Sequence, residues 1–149
     1  MSGTTDPRAV VQAMHGRDPS AEAFGISVVD AGPGTATVEM RVATWMCNGL
    51  GTCHGGVVFT LADSAMAFAS NGGGEVAFAV AASVDLVAPA SAGDVLRATA
   101  TEQWSGGRTG LYDATVTRDD GSTVAVFRGR VRRTGATVLD AEVLGGDDA

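Results

Sequence analysis

The sequence is poor in cysteine and in positive charge, and it lacks any long apolar run. Cys47 and Cys53 are the only two cysteines among 149 residues, too few for a disulfide framework. Ten basic residues face seventeen acidic ones, giving a formal net charge of -7 and a pI near 4.6. Such acidity argues against nonspecific binding of nucleic acid. No stretch approaches the roughly 18 apolar residues of a transmembrane helix, so no membrane partner is expected. The N-terminus, MSGTTDPRAV, has no apolar signal-peptide core, and a cytoplasmic address is the default expectation. There is no internal repeat and no interdomain linker. The length favours one domain, able to bury roughly 68–70% of its unfolded surface.

What is present centres on Asn48 to Asn71, NGLGTCHGGVVFTLADSAMAFASN. Gly49, Gly51, Gly55 and Gly56 punctuate a loop that leads into a helix. Val57, Val58, Phe59, Leu61, Ala62, Ala65, Met66, Phe68 and Ala69 lie all around that helix, which predicts burial on most sides. Asp63 is the one carboxylate in it, and an unpaired buried charge is costly.

Upstream, residues 1–7 read as a frayed tail. Ala9 to His15 reads as a short helix stopped by Asp18-Pro19-Ser20. Phe24 to Asp30 and Thr35 to Val42 read as strands joined by Gly32-Pro33-Gly34. Downstream, Glu75 to Ala88 is long enough for a central strand, with Val76, Phe78, Val80, Val84 and Leu86 on one face. Asp94 to Trp104, with Leu96, Ala98, Ala100 and Trp104 on one side, begins an antiparallel meander. Arg108 to Arg118 and Thr123 to Arg133 complete it. The order predicts an α+β fold, one helix against an antiparallel sheet. One domain is expected over residues 1–134, of which 1–20 form the tail and short helix. Residues 135–149 are expected to be an acidic, mobile tail.

Asp63 is the main chemical candidate. It has no basic residue at i±3 or i±4, so it is either a solvated helix carboxylate or a poised base. His54 either caps and packs the loop or positions a ligand, and Asn48 is either a turn residue or a water-positioning one. The Gly55 and Gly56 amides are among the unpaired donors of a helix start, where a developing oxyanion is favoured. The spacing of Cys47, Cys53 and His54 matches no zinc or haem pattern, and no metal is expected. The loop lacks the Gly-Lys-Ser/Thr of a P-loop and is not a GxGxxG fingerprint. Arg128, Arg130 and Arg132 share one strand face, with Arg108 opening the preceding strand. They are either a landing strip for phosphates or a solvated face.

Taken together, Asn48-Gly49, His54-Gly55-Gly56, Phe59, Leu61-Ala62-Asp63 and Asn71 resemble the signature of PaaI-type hotdog thioesterases. Ser83-Val84-Asp85-Leu86, Pro89, Ala92-Gly93-Asp94, Tyr112-Asp113 and Val126-Phe127-Arg128-Gly129 extend the resemblance over roughly residues 20–134. It implies a hotdog fold, a curved sheet of about six strands wrapped around the long helix. It implies hydrolysis of acyl-CoA thioesters, phenylacetyl or hydroxyphenylacetyl in particular, as in phenylacetate degradation. Asp63 would be the catalytic carboxylate, Gly55 the oxyanion donor, and Asn48 and His54 site residues. Gly56, Val80, Ala82, Ser83, Arg108, Arg128 and Arg130 would contact the acyl group or CoA. No cofactor beyond the substrate's own CoA is implied. A hotdog hydratase would carry Asp-x-Asn-x-x-His in this loop, but Met46 and Gly51 occupy the aspartate and histidine positions. A non-catalytic acyl-CoA-binding protein would not need both carboxylate and donor.

Gly55 and Asp63 are eight residues apart, about 12 Å along a helix. One helix therefore does not bring both to one carbonyl, and a homodimer is expected as the minimum active unit, with pairing into a homotetramer expected beyond it.

Overall fold

The computed structural model describes residues 5–140. Its centre is helix α3, Gly55–Asn71. Val58, Leu61, Ala62, Ala65, Met66, Phe68 and Ala69 are all buried, as an all-round apolar helix requires. The cover is one antiparallel sheet of six strands: β1 (Ser27–Gly32), β2 (Thr35–Arg41), β3 (Glu75–Leu86), β4 (Val95–Gly106), β5 (Thr109–Thr117) and β6 (Thr123–Thr137). Their spatial order is β1-β2-β4-β5-β6-β3. The face towards α3 carries small residues, Ala98, Ala100, Ala114 and Ala125, between larger ones such as Met40, Leu96 and Phe127. Small residues let strands lie close to the helix. Gly129 is the extreme case, since a Cβ there would sit 2.2 Å from Met66 Sδ. Each fully buried side chain of the Leu61 or Phe68 type contributes about 1.5–3 kcal/mol. This is the α+β hotdog architecture expected, and β4, β5 and β6 form the expected meander. Among the described residues no helix is long and apolar enough to cross a membrane.

Several local readings change. The first helix, α1, runs Pro7–His15, with Asp6 as its N-cap, so residues 5–7 are not all tail. Asp18-Pro19 starts a second helix as well as following the first. In α2, Pro19–Phe24, the Asp18 carboxylate accepts the Ala21 N–H at 2.9 Å, and Pro19 occupies the first turn, where no N–H is needed. Gly25, at φ 69, ends it. Phe24 is therefore helical, and the first strand begins at Ser27.

β3 is an edge strand, not a central one, and pairs only with β6. Bulges at Glu75/Ala77 and Ala79/Ala81 break its period. Phe78 lies opposite Arg132 on the outer face, whereas Val84 lies opposite the buried Phe127. A bulge at Glu102/Trp104 in β4 likewise turns Trp104 outward, 54% exposed, while Leu96, Ala98 and Ala100 stay buried. β6 continues past Thr134 to Thr137, and Val138 is buried. Of the expected mobile tail, residues 141–149 lie outside the described residues.

Asn71 joins α3 to β3. It is 3% exposed. Its Nδ2 donates to Ala67 O at 2.8 Å and Ala77 O at 3.1 Å, and its Oδ1 accepts the Ala77 N–H at 2.9 Å. Asn71→Leu keeps the branched heavy-atom skeleton and strands the buried Ala77 N–H, which costs about 1–3 kcal/mol. A urea titration should show a lower midpoint with an unchanged slope, and an unchanged midpoint would deny Asn71 this tie.

Candidate active site

The loop before α3 is built around Asn48. Cys47 and Cys53 form an isolated antiparallel bridge that closes the turn between them. Asn48 Oδ1 accepts from Leu50 N–H at 2.9 Å, Thr52 N–H at 3.2 Å and Thr52 Oγ1 at 3.3 Å. The Asn48 oxygen is thus committed to shaping the loop, which favours the turn reading for that atom. Gly51 takes φ 80, a conformation open to glycine. The His54 N–H donates to Met46 O at 2.8 Å, delivering His54 to the helix start. Its ring is exposed and does not cap α3.

Val57 and Val58 N–H bond to His54 O. The Gly55 and Gly56 N–H groups have no protein acceptor among the described residues. They are orphan donors at the positive end of a long helix, suited to an anionic oxygen. Leu86 lies against Gly55, where a Cβ would sit 2.5 Å from Leu86 Cδ1, while Gly56 faces open space. Asn48, Gly55, Val58, Leu86 and Val87 border a cavity of about 320 Å³.

Asp63 opens elsewhere. Its cavity, about 460 Å³, is bordered by Met14, Met66, Ala67, Phe78, Val131 and Val138, with Ser70 and Arg17 also on its wall. No residue borders both cavities. Asp63 is half-buried and has no hydrogen bond or ion pair among the described residues. Loss of hydration raises its pKa above the ordinary 3.8, since burial disfavours the charged form.

The other sequence candidates scatter. Val80 is at the β3 bulge and 52% exposed. Ala82 pairs with Gly129, and Ser83 with Arg128. None of the three borders the Asp63 cavity. Arg128 makes a two-pronged pair with Asp113, at 2.7 and 3.0 Å, and this holds the Asp113 carboxyl below its usual range. Arg130 and Arg132 are exposed on the same outer face as Arg128, and Arg108 is exposed on the turn before β5. Met14, Arg17, Ser70 and Val138 escaped the sequence reading. They come from both chain ends and the far end of α3, and only tertiary packing gathers them. The one available signal was helical phase: Ser70 lies seven residues, about two turns, beyond Asp63. Among the described residues no group of three or more His, Cys, Asp or Glu is placed to hold a metal.

Residues 50–125 match the Thioesterase superfamily. The chain is 43% identical over 126 residues to the acyl-coenzyme A thioesterase PaaI of Escherichia coli (strain K12), covering 85% of this chain and 90% of that protein. The solved structure of E. coli PaaI, from the phenylacetic acid degradation operon, has a TM-score of 0.88 at 40% identity. It covers 90% of this chain and 97% of that one. A Streptococcus mutans UA159 protein bound to acetyl CoA has a TM-score of 0.72 at 27% identity, over 74% of this chain and 90% of that one.

The raised pKa of Asp63 carries a stability consequence. Between the unfolded value and the higher folded one, the folded chain holds more protons, so stability falls as pH rises through that window. Above it the whole penalty persists. Asp63→Asn should therefore be more stable than wild type at neutral pH. The difference should vanish below 3.8, where Asp63 is protonated in both states. Urea midpoints at the two pH values check this.

Proposed function

The chain belongs to the thioesterase superfamily, among its PaaI-type hotdog acyl-CoA thioesterases, and we propose that it hydrolyses aryl-acetyl-CoA thioesters at sites shared between two subunits. Phenylacetyl-CoA and hydroxyphenylacetyl-CoA are the substrates proposed, and the products are the free acid and CoA. The observation that carries the shared site is the separation of Gly55 and Asp63 into two cavities with no common residue. Two antiparallel copies of α3 related by a two-fold axis bring Gly55 of one protomer beside Asp63 of the partner subunit. Exposed apolar side chains along the unpaired edge strand, Phe78, Val80 and Leu86, followed by Val87, support a second copy on that side.

In this reading the thioester oxygen accepts the Gly55 N–H, with Gly56 beside it, and His54 and Asn48 frame the approach. The partial positive charge of the helix start stabilises the oxygen as it becomes negative. Asp63 has no ion pair among the described residues and is ionised above its raised pKa. It takes a proton from the attacking water; the tetrahedral intermediate collapses and CoA thiolate leaves. Direct attack by the Asp63 carboxylate, forming an anhydride, uses the same geometry. The apolar cavity beside Asp63, walled by Met14, Met66, Val131 and Val138, suits an aryl group better than the exposed Val80, Ala82 and Ser83. CoA phosphates would meet Arg108, Arg130 and Arg132, while Arg128 would first have to leave Asp113.

Subunit mixing tests the shared site. Gly55→Pro removes the donor, but its ring would strike Leu86, so it is made together with Leu86→Ala; Leu86→Ala alone is the control. This variant and Asp63→Asn should each lose about 10²–10⁴-fold in rate while staying folded. Co-refolded, they form mixed dimers in which one site carries both lesions and the other keeps donor and carboxylate. Thioester hydrolysis should return at one site per mixed dimer. Differentially tagged mixed dimers that remain dead would exclude the shared site.

The arginine strip is tested separately. Replacing Arg108, Arg128, Arg130 and Arg132 together should raise KM for the acyl-CoA and flatten its salt dependence, with kcat less affected. An unchanged KM and salt slope would make the strip a solvated face.

A further inference from the structure

The two cysteines flank the loop that carries Asn48, and hydrolysis uses neither. They are directly opposite one another in the isolated antiparallel bridge, and the backbone bonds fix the kind of pair. Asn48 N–H donates to Thr52 O at 2.8 Å and His54 N–H to Met46 O at 2.8 Å. The bonds lie on either side of residues 47 and 53, not between them. This is the non-hydrogen-bonded kind of antiparallel pair, whose Cα atoms are about 4.5 Å apart and whose side chains are closest. A disulfide needs a Cα separation of about 4.4–6.8 Å, so the backbone is already within reach. Both residues are thiols, with Cys47 Sγ 3.8 Å from Ala43 O and Cys53 Sγ 3.7 Å from His54 O. Burial first, and the facing Cys47 second, push the Cys53 thiol up to about 11, consistent with two side chains on one face.

We propose that Cys47 and Cys53 are a thiol pair that low-molecular-weight disulfides convert reversibly to a disulfide, and that closing it slows turnover through the His54–Gly55 segment. Half-buried Cys47 is the entry thiol. Its thiolate attacks one sulfur of the small disulfide, forms a mixed disulfide and releases one small thiolate. Cys53, 7% exposed, then gives its proton to solvent and attacks Cys47 Sγ, expelling the second. Two protein thiols are oxidised and one small disulfide is reduced to two thiols. To reach an S–S distance of about 2.05 Å, Cys53 Sγ must leave His54 O, the carbonyl on which Val57 and Val58 begin α3. That shift reaches the adjacent Gly55 donor, where a misplacement of about 1 Å costs about 10²-fold in rate. The bond itself is independent of what the enzyme hydrolyses; only its effect on turnover rests on acyl-CoA hydrolysis.

The test treats the reduced, intact protein with oxidised glutathione, quenches with acid and reads the intact mass. The mass should fall by two hydrogens with no glutathione retained. Hydrolysis, followed by loss of thioester absorbance, should slow by about 10- to 10²-fold and recover in dithiothreitol. Cys53→Ser should instead hold one glutathione on Cys47. Cys47→Ser and Cys47→Ala should keep their turnover in oxidised glutathione. An unchanged mass, a chain-to-chain link, or a closed disulfide with unaltered turnover would each overturn the proposal. A protein that closes the bond but never hydrolyses acyl-CoA overturns the substrate assignment and leaves the disulfide standing.

Discussion

An apolar helix that carries one carboxylate makes two demands on its surroundings. Nearly every side of α3 has to be covered at close range, and the side bearing Asp63 has to stay open. The sheet meets the first demand with alanines and with Gly129 over Met66. The second is met by the segments that complete the wall around Asp63: the region of α1 and α2, the start of β3, and Val138. The cavity beside the carboxylate is thus a product of how the helix is covered. The same half-burial that raises the Asp63 pKa also costs the fold stability at neutral pH, so the group best suited to accept a proton is one the fold would be more stable without.

The donor end of α3 is governed by the start of the helix. A helix start leaves its first N–H groups unpaired whatever the sequence, but access depends on the residue that bears them. Glycine at positions 55 and 56 keeps side-chain bulk away from the donors, and Leu86 moves into the space on one side. Donor and carboxylate are then held at a fixed axial distance by the regularity of the helix. In the proposed dimer a second copy joins them without distortion of α3 and covers the edge strand as well.

Much of this was legible in the sequence because it follows from short-range rules. The all-round apolar run from Val57 to Ala69 gave the buried helix. The side shared by Leu96, Ala98 and Ala100 and the turn at Gly32-Pro33-Gly34 gave strands. The missing basic neighbour marked Asp63. What failed was long-range or depended on phase. A bulge adds one residue without any compositional mark, so Phe78 and Trp104 read as sharing a face with Val84 and with Leu96, and each lies on the opposite one. Asp18-Pro19 is equally good punctuation for ending one helix and for starting the next. Met14 and Val138 stand far apart in the chain, and nothing in their spacing announces that both border the Asp63 cavity.

The bulge at Ala79/Ala81 separates two halves of β3 that face different parts of the protein. Val76 to Ala79 border the cavity beside Asp63, whereas Leu86 lies on Gly55. In an unbroken strand, a slip of one residue would invert every side chain along its length. Here the extra residue lets the first half change its phase while the second keeps its pairing with β6. Size changes in the first half can therefore reshape the cavity beside Asp63 while Leu86 keeps its place on Gly55. On the proposed function, the pocket for the acyl group and the donor for the thioester oxygen are thus set by different halves of one strand.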